Sequence, residues 1–415
     1  MLTYDEMINS GVDWLGKLPA DWDLSKVSVN YRRKKVVNTQ GEELLSVYRD
    51  YGVIPKSSRD DNHNTESDDL SKYQLVQPDD LVTNKMKTWQ GSIAVSDIRG
   101  IVSPAYYIMS PRTKNYTPRY VHYLLRSPVY VAQYRRLSKG IRVGQWDLEY
   151  EQFKNLKLPL PPKSVQIQIA NFLDKETAKI DNLIAKQERL LELLEEKRRA
   201  AITHAVTRGQ DTGTSFSYVR IKNIAHAIGR GASPDYDDKG EARFINQACV
   251  YWSGLRFGNV KRARSDSHRS GGRGSLKPND ILVNSTGTGT LGRAALFNES
   301  GSYFADSHVT LLRPNVEKAS PLYIRYLMES EYMQTMIYEL CVSGSTNQIE
   351  LSKERFANLR VLMPSLIDQE KIAEKLRDSD EKMDILKHKL QAQISLLRER
   401  RTSLISHTVT GKVKV

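Results

Sequence analysis

The chain has 415 residues, a formal net charge of +13 and two cysteines, Cys249 and Cys341. That length holds two domains with connecting structure, and the surplus of Lys and Arg favours a polyanionic partner, because clustered cations gain affinity by releasing counterions from phosphates. Two cysteines are too few for a disulfide framework or a thiolate zinc site; no apolar run suits a membrane span, and Met1–Met7 lacks a basic segment leading into an apolar one, so a soluble cytoplasmic protein without membrane association is expected.

The first globular part, about 13–158, reads as short strands and irregular loops. Asp79-Asp80-Leu81-Val82-Thr83-Asn84 predicts a turn followed by a β-rich run. Basic and amide residues interleaved with aromatics come next: Lys85, Lys87, Trp89 and Gln90, then Arg135, Arg136, Lys139, Arg142, Gln145 and Trp146. Arg and Gln read base edges through paired hydrogen bonds, whereas Lys mostly holds phosphates. Leu158-Pro159-Leu160-Pro161-Pro162 cannot continue a helix, and Ser164 is the predicted N-cap of a long one. Its apolar residues, Ile169, Leu173, Ile180, Leu183, Leu190, Leu194 and Ala201, fall at three-to-four-residue steps, and its end is predicted near Gly209.

The second globular part, about 215–361, carries the matching turn and strand at Asn279-Asp280-Ile281-Leu282-Val283-Asn284. Gly287-Thr288-Gly289-Thr290-Leu291-Gly292 has dinucleotide-loop spacing, but no helix of useful length follows it, so a strand-turn-strand glycine loop is predicted. Asp306-Ser307-His308 holds the triad residue types, yet neighbours on a strand point to opposite faces. Lys261, Arg262, Arg264, His268, Arg269 and Arg273 lie in a Gly- and Ser-rich stretch, followed later by Ser345, Asn347 and Gln348. Solvated charge remains an alternative reading of that stretch. Pro364 repeats the break, and Ser365-Leu366-Ile367-Asp368 has capping-box spacing. The second helix follows, with Ile372, Leu376, Met383, Leu386, Leu390, Leu397 and Leu404 as its stripe and an end near Gly411.

The two halves repeat each other. Lys197–Thr207 recurs almost word for word as Arg400–Thr410, at the 203-residue spacing that separates His204 from His407. At that offset Tyr120 meets Tyr323, Gln145 meets Gln348, Phe153 meets Phe356, Gln166 meets Gln369 and Asp181 meets Asp384. So long a period exceeds small solenoid repeats; each copy is a domain with an attached helix. Roughly 40 residues at about 1.5 Å each give helices on the order of 60 Å. A narrow apolar stripe on so long a helix cannot be buried in a small domain, so the two stripes must pair. The predicted fold is mixed α+β: two globular domains held apart by two long helices in an antiparallel coiled coil, with pseudo-two-fold symmetry.

Nothing catalytic is legible. His204 and His407 have no recurring His, Cys or carboxylate at ligand spacing, Asp79-Asp80 lacks a following Glu-x-Lys, and there is no P-loop. No metal or cofactor site is therefore expected in this chain. The expected DNA contacts are Lys85, Lys87, Trp89, Gln90, Arg142 and Gln145 in the first half and Arg264, Arg269, Arg273, Ser345, Asn347 and Gln348 in the second. The helix-end basic residues Arg198, Arg199, Arg400 and Arg401 read as exposed. Arg198, His204, Arg401 and His407 are expected at a subunit interface; the alternatives are solvated charge for the arginines and structural helix-end histidines for His204 and His407.

Three segments carry a family resemblance: Asp13-Trp14-Leu15-Gly16-Lys17-Leu18-Pro19-Ala20-Asp21-Trp22, the Leu-Pro-Leu-Pro-Pro step into Gln166-x-x-Ile169-Ala170-x-x-Leu173-Asp174, and the Lys-Arg-Arg-x-x-Ile-x-His helix end. Over essentially its full length the chain resembles the specificity subunit of a type I restriction-modification enzyme. The opening motif has no clear repeat at Phe216–Ile221. The resemblance implies a first target-recognition domain (1–158), a central conserved helical region (159–212), a second target-recognition domain (213–361) and a C-terminal conserved helical region (362–415). Each domain would read one half of a bipartite site in double-stranded DNA. Such a subunit is not itself an enzyme. It assembles with two methyltransferase subunits that bind S-adenosylmethionine and with motor-nuclease subunits that use ATP. A stand-alone DNA-binding or architectural protein on the same scaffold is the alternative.

Overall fold

The computed structural model describes residues 3–39, 41–59, 69–140, 146–208, 213–264, 273–344 and 349–415. They form two compact units, one discontinuous in sequence, Met1–Gln187 with Ala392–Val415, and one continuous, Glu188–Gln391.

Each unit is built on the same antiparallel four-stranded sheet. In the first, β1 (Tyr31–Lys34), β2 (Leu81–Asn84), β3 (Ile93–Val95) and β4 (Tyr106–Pro111) lie in the order β1-β4-β2-β3. In the second, β5 (Ala225–Arg230), β6 (Asp280–Asn284), β7 (Ala294–Phe297) and β8 (Val309–Pro314) lie in the order β5-β8-β6-β7. The register is shared too: Asn84 sits opposite Tyr106, and Asn284 opposite Val309. The predicted turns are present, with Asp79 and Asn279 at φ 69° and 73°, a left-handed conformation that Asp and Asn tolerate. The next residue locks each turn: the Asp80 carboxylate accepts the Gln77 N–H at 2.8 Å, and Asp280 accepts that of Lys277 at 2.7 Å.

Helices then cover the sheets. In the first unit α1 (Pro118–Arg126) and α2 (Pro128–Leu137) start with proline at their first turn, where a missing N–H costs nothing. They bury Tyr120, Tyr130 and Tyr134 beside Phe153. The long helices are α3 (Lys163–Arg208) and, after α4 (Pro321–Glu329), α5 (Leu366–Val409). Ser365 caps α5 as expected, its Oγ accepting the Asp368 N–H at 3.2 Å. Ser164 does not cap α3, because the helix starts one residue earlier and Gln166 N–H reaches back to Pro162 O at 3.0 Å. The repeated glutamines tie each helix start to its domain. Gln166 accepts from Thr117 N and donates to Pro161 O; Gln369 accepts from Ser320 N and donates to Pro364 O.

Pairing of the long helices is antiparallel within each unit. In the first, Asp181 meets Arg401 at 2.8 Å and Gln187 meets Gln393 at 3.3 Å; in the second, Glu195 meets Lys387 and Arg198 meets Asp380. Each domain also holds the end of the helix that follows the other domain in sequence: Tyr120 Oη donates to Val409 O at 3.1 Å, and Tyr323 Oη to Val206 O at 3.3 Å. The apolar stripes are only partly covered. Ile169, Leu173, Ile180, Ile372, Leu376 and Leu404 are buried, whereas Leu183, Leu190 and Leu386 are exposed. A two-helix pairing covers only part of a stripe that wide.

Candidate nucleic-acid interface

In the first unit the interface grows from the end of β2. The Asn84 side chain accepts the Met86 N–H at 3.0 Å and turns the chain. A single 3₁₀ turn, Thr88–Gln90, follows and is closed by Gly91 at φ 100°. Thr88 is buried against Thr83, their hydroxyls 2.6 Å apart, which fixes where Trp89 sits. The Trp89 ring lies 4.9 Å from that of Trp146, with the Arg135 guanidinium of α2 5.9 Å from its centroid. Lys85 donates to Pro104 O at 2.7 Å and lies 4.9 Å from the Tyr107 ring centroid. Arg33 shares that ring at 4.7 Å and faces Tyr150 at 5.5 Å. Burial, and then the neighbouring Arg33 charge, pull the Lys85 pKa down. Lys87 and Gln90 are exposed alongside. Cations beside open aromatic faces can hold phosphates and stack on bases.

The structure thus places Lys85 and Trp89 in separate aromatic contacts, with Tyr107 and with Trp146, and adds Arg33, Tyr107 and Tyr150, which sequence reasoning missed. The run Arg32-Arg33-Lys34-Lys35 was the available signal; the tyrosines gave none, since only the fold brings β4 and residue 150 beside β1.

The second unit has different chemistry at the matching edge. The glycine loop between β6 and β7 is strand-turn-strand as predicted, with Gly287, Gly289 and Gly292 at positive φ and no helix after it. Thr286 Oγ1 lies 3.1 Å from Gln247 Oε1 and 2.9 Å from His308 Nδ1. Asp306, its pKa raised by burial, accepts the His308 backbone N–H and the Tyr236 hydroxyl, so the imidazole is turned to Thr286 and no triad relay forms. Arg264 pairs with Asp237 at 3.1 Å. Arg273 donates from Nε to the Arg230 carbonyl at 3.2 Å, and the Arg230 guanidinium contacts Glu350. Arg142, Gln145, Arg269, Ser345, Asn347 and Gln348 lie outside the described residues.

At the helix ends, Arg199, His204, Arg400 and His407 are exposed, and Arg401 holds Asp181 at 2.8 and 3.2 Å. Exposure fails at Arg198. Its side chain is buried between Glu329 of α4 and Asp380 of α5, with bonds to both carboxylates. Burial alone would lower its pKa, but the two carboxylates more than offset that and raise it. A guanidinium so engaged has no free face for a partner subunit.

Among the described residues no group of three or more His, Cys, Asp or Glu is placed to hold a metal ion, and no helix is long and apolar enough to cross a membrane. Comparison with known proteins gives a consistent set. A family model, type I restriction modification DNA specificity domain, matches twice, over residues 29–193 and 216–396. The type I restriction enzyme MjaVIII specificity subunit of Methanocaldococcus jannaschii is 22% identical, covering 96% of this chain and 94% of that protein. The StySPI specificity subunit of Salmonella potsdam is also 22% identical, with coverage of 96% and 90%. Among solved structures, a chain from work on complex assembly and conformational transition of the type I R-M system superposes with a TM-score of 0.75 at 14% identity, over 95% of this chain and 99% of that one. The HsdS subunit from Thermoanaerobacter tengcongensis gives 0.57 at 15% identity, over 95% and 98%. These structural likenesses speak for the fold.

Proposed function

The chain belongs to the type I restriction-modification specificity subunit family, and from that premise we propose that its two domains read the two halves of a split DNA site. The observation that carries this reading is the same sheet, in the same order and register, bearing different interface chemistry: cations over Tyr107 and Trp89 in one unit, and Arg230, Arg273 and the glycine loop in the other. A duplicated frame with dissimilar contact residues suits two different half-sites. The DNA contacts include Lys85, Lys87, Trp89 and Gln90 on the first domain and Arg273 on the second. The long helices set the unspecified gap between the half-sites, and the exposed His204 and His407 lie on surfaces facing partner subunits.

The chain performs no chemistry of its own in this scheme. It places two methyltransferase subunits, the holders of S-adenosylmethionine, so that each reaches an adenine flipped from the stack in one half-site, and motor-nuclease subunits supply ATP-driven cleavage. Residues 1–158 and 213–361 choose sequence; 159–212 and 362–415 choose geometry.

Base-modification sequencing of host DNA, with this gene intact and deleted beside its neighbouring genes, tests the reading. Loss of methylation at one split motif is the expected result. No change at any motif while the methyltransferase is expressed would make an uncoupled DNA-binding role the better account. Removing about two turns from both helices should alter the gap and leave both half-sites unchanged; an unaltered gap would refute their role as spacers.

A further inference from the structure

A cleft of about 400 Å³ in the second unit is lined by Arg230, Arg273, Lys353, Gly229, Gly274 and Leu311. Glycines build it. Arg230 lies in Gly229-Arg230-Gly231 and Arg273 in Gly272-Arg273-Gly274. A Cβ on Gly231 would meet Ala305 O at 2.0 Å, and one on Gly274 the same oxygen at 2.8 Å. Only chain without side chains there lets the two segments pack together, where Ala305 N bonds Gly274 O at 2.7 Å and Ala232 N bonds Ala305 O at 3.2 Å. Two guanidiniums are thereby held side by side at the edge strand β5, with the Lys353 ammonium on the same cleft. Among the described residues the carboxylate in contact is Glu350, on Arg230, whose guanidinium also donates to Leu351 O at 3.4 Å, so the described cations outnumber the carboxylate. Burial, and then the Arg273 charge, lower the Arg230 pKa, as expected where like charges are crowded. A Cβ on Gly229 would meet nothing within 4 Å, which leaves the backbone approachable.

We propose that this cleft seats a backbone phosphate of the DNA, held by Arg230, Arg273 and Lys353, and so anchors the second domain independently of base sequence. The proposal rests on the DNA-reading function above. A phosphodiester supplies the charge the cleft lacks, and paired guanidiniums match its oxygens. A contact of this kind adds affinity on any sequence and steepens the salt dependence by about 0.9 in log–log slope per phosphate neutralised.

The test is the full-length protein with Arg273→Ala and Lys353→Ala together, both positions being exposed, against a duplex carrying the split motif and a scrambled duplex across a salt series. The expected result is a loss of about tenfold on both duplexes at 0.1 M salt and a slope shallower by about one, as for one phosphate contact. A charge-matched control, Lys371→Ala with Lys382→Ala on α5, keeps the slope. Loss confined to the motif duplex would make the cleft a base reader and overturn the proposal, as would an unchanged slope. Inorganic phosphate that stabilises the parent protein but not the double variant, with DNA binding unaffected, would also overturn it in favour of a free-anion site. If the parent protein binds neither duplex and no motif loses methylation on deletion, it is the DNA-reading function that fails.

Discussion

Asp80 and Asp280 hold the same turn in two copies of the same sheet, yet they draw their cations from different strands. Asp80 is paired by Lys34 on the edge strand β1 at 3.1 Å; Asp280 is paired by Arg313 on the neighbouring β8 at 2.7 Å. The register identifies the exchange. Lys34 lies opposite Ile108 and Gly229 opposite Leu311, so Gly229 stands where Lys34 does, while Arg313 stands where the first unit has Ser110. Moving the counter-cation inward leaves the second edge strand free to end in Arg230, whose partner is Glu350 rather than the turn. A buried carboxylate demands a cation but not from a given strand, and this latitude lets the outer edges of a repeated scaffold diverge.

The helix contacts differ as sharply. Arg198 and Arg325 share Glu329 and Asp380 in the second unit. At the equivalent places 203 residues earlier, the first unit has Arg126 for Glu329, Thr177 for Asp380 and His122 for Arg325. With no carboxylate there, Arg126 donates to His122 and to Arg49 O, and burial, then the Arg401 charge, bring its pKa down to about 10.

Breaking the exchanged pair has the largest expected effect. Asp280→Ala strands a partly buried guanidinium and a backbone N–H and should cost about 3–5 kcal/mol by chemical denaturation. Asp80→Ala should cost about 1–3 kcal/mol, because the Lys34 amine also reaches Gln77. Equal losses would show that the strand of origin does not matter. The comparison sharpens with Arg313→Ser, which installs the first unit's residue; adding Gly229→Lys, at a position with open space, should recover about half the loss. Glu329→Gln should cost about 2–3 kcal/mol, whereas Arg126→Met should change stability by less than about 1 kcal/mol, since it removes a charge whose burial and nearness to Arg401 outweigh the attraction of Asp50.

The smallest effect is one of pH. Burial, then the Arg126 charge, lower the His122 pKa to about 3, with the ring accepting from Arg126 and its Nδ1 3.4 Å from Val95 O. The unfolded imidazole titrates near 6.5, at about 1.4 kcal/mol per unit of pKa difference. A lowered folded pKa means that the unfolded state takes up the proton first, so stability is full above about pH 6.5 and declines as pH falls towards 3. At pH 5 the loss should be about 1–2 kcal/mol. His122→Gln should flatten that decline, and a variant as acid-sensitive as the parent would locate the titration elsewhere.

Much of this was legible in the sequence because the copies repeat at one offset. Gln166 and Gln369 make matching bonds, as do Tyr120 and Tyr323, and the turns at Asp79 and Asn279 announce their strands. Arg198 was not legible. Its partners are 131 and 182 residues away, and the first copy, with Arg126 and Thr177 in their places, carries no pattern to extrapolate. Arg230 was overlooked for a related reason: the Gly-Arg-Gly tripeptides look like loop composition until Ala305 packs between them.

The bond from Tyr120 to Val409 also bears on how the protein is made. The first compact unit starts earlier in the sequence but needs 392–415, which are synthesised after the whole of the second unit. The second unit, 188–391, is continuous and has all its residues earlier. Folding order therefore runs against synthesis order, and the first domain waits, its tyrosine cluster lacking the cover of Leu404, Ile405 and Val409, until those residues have been made.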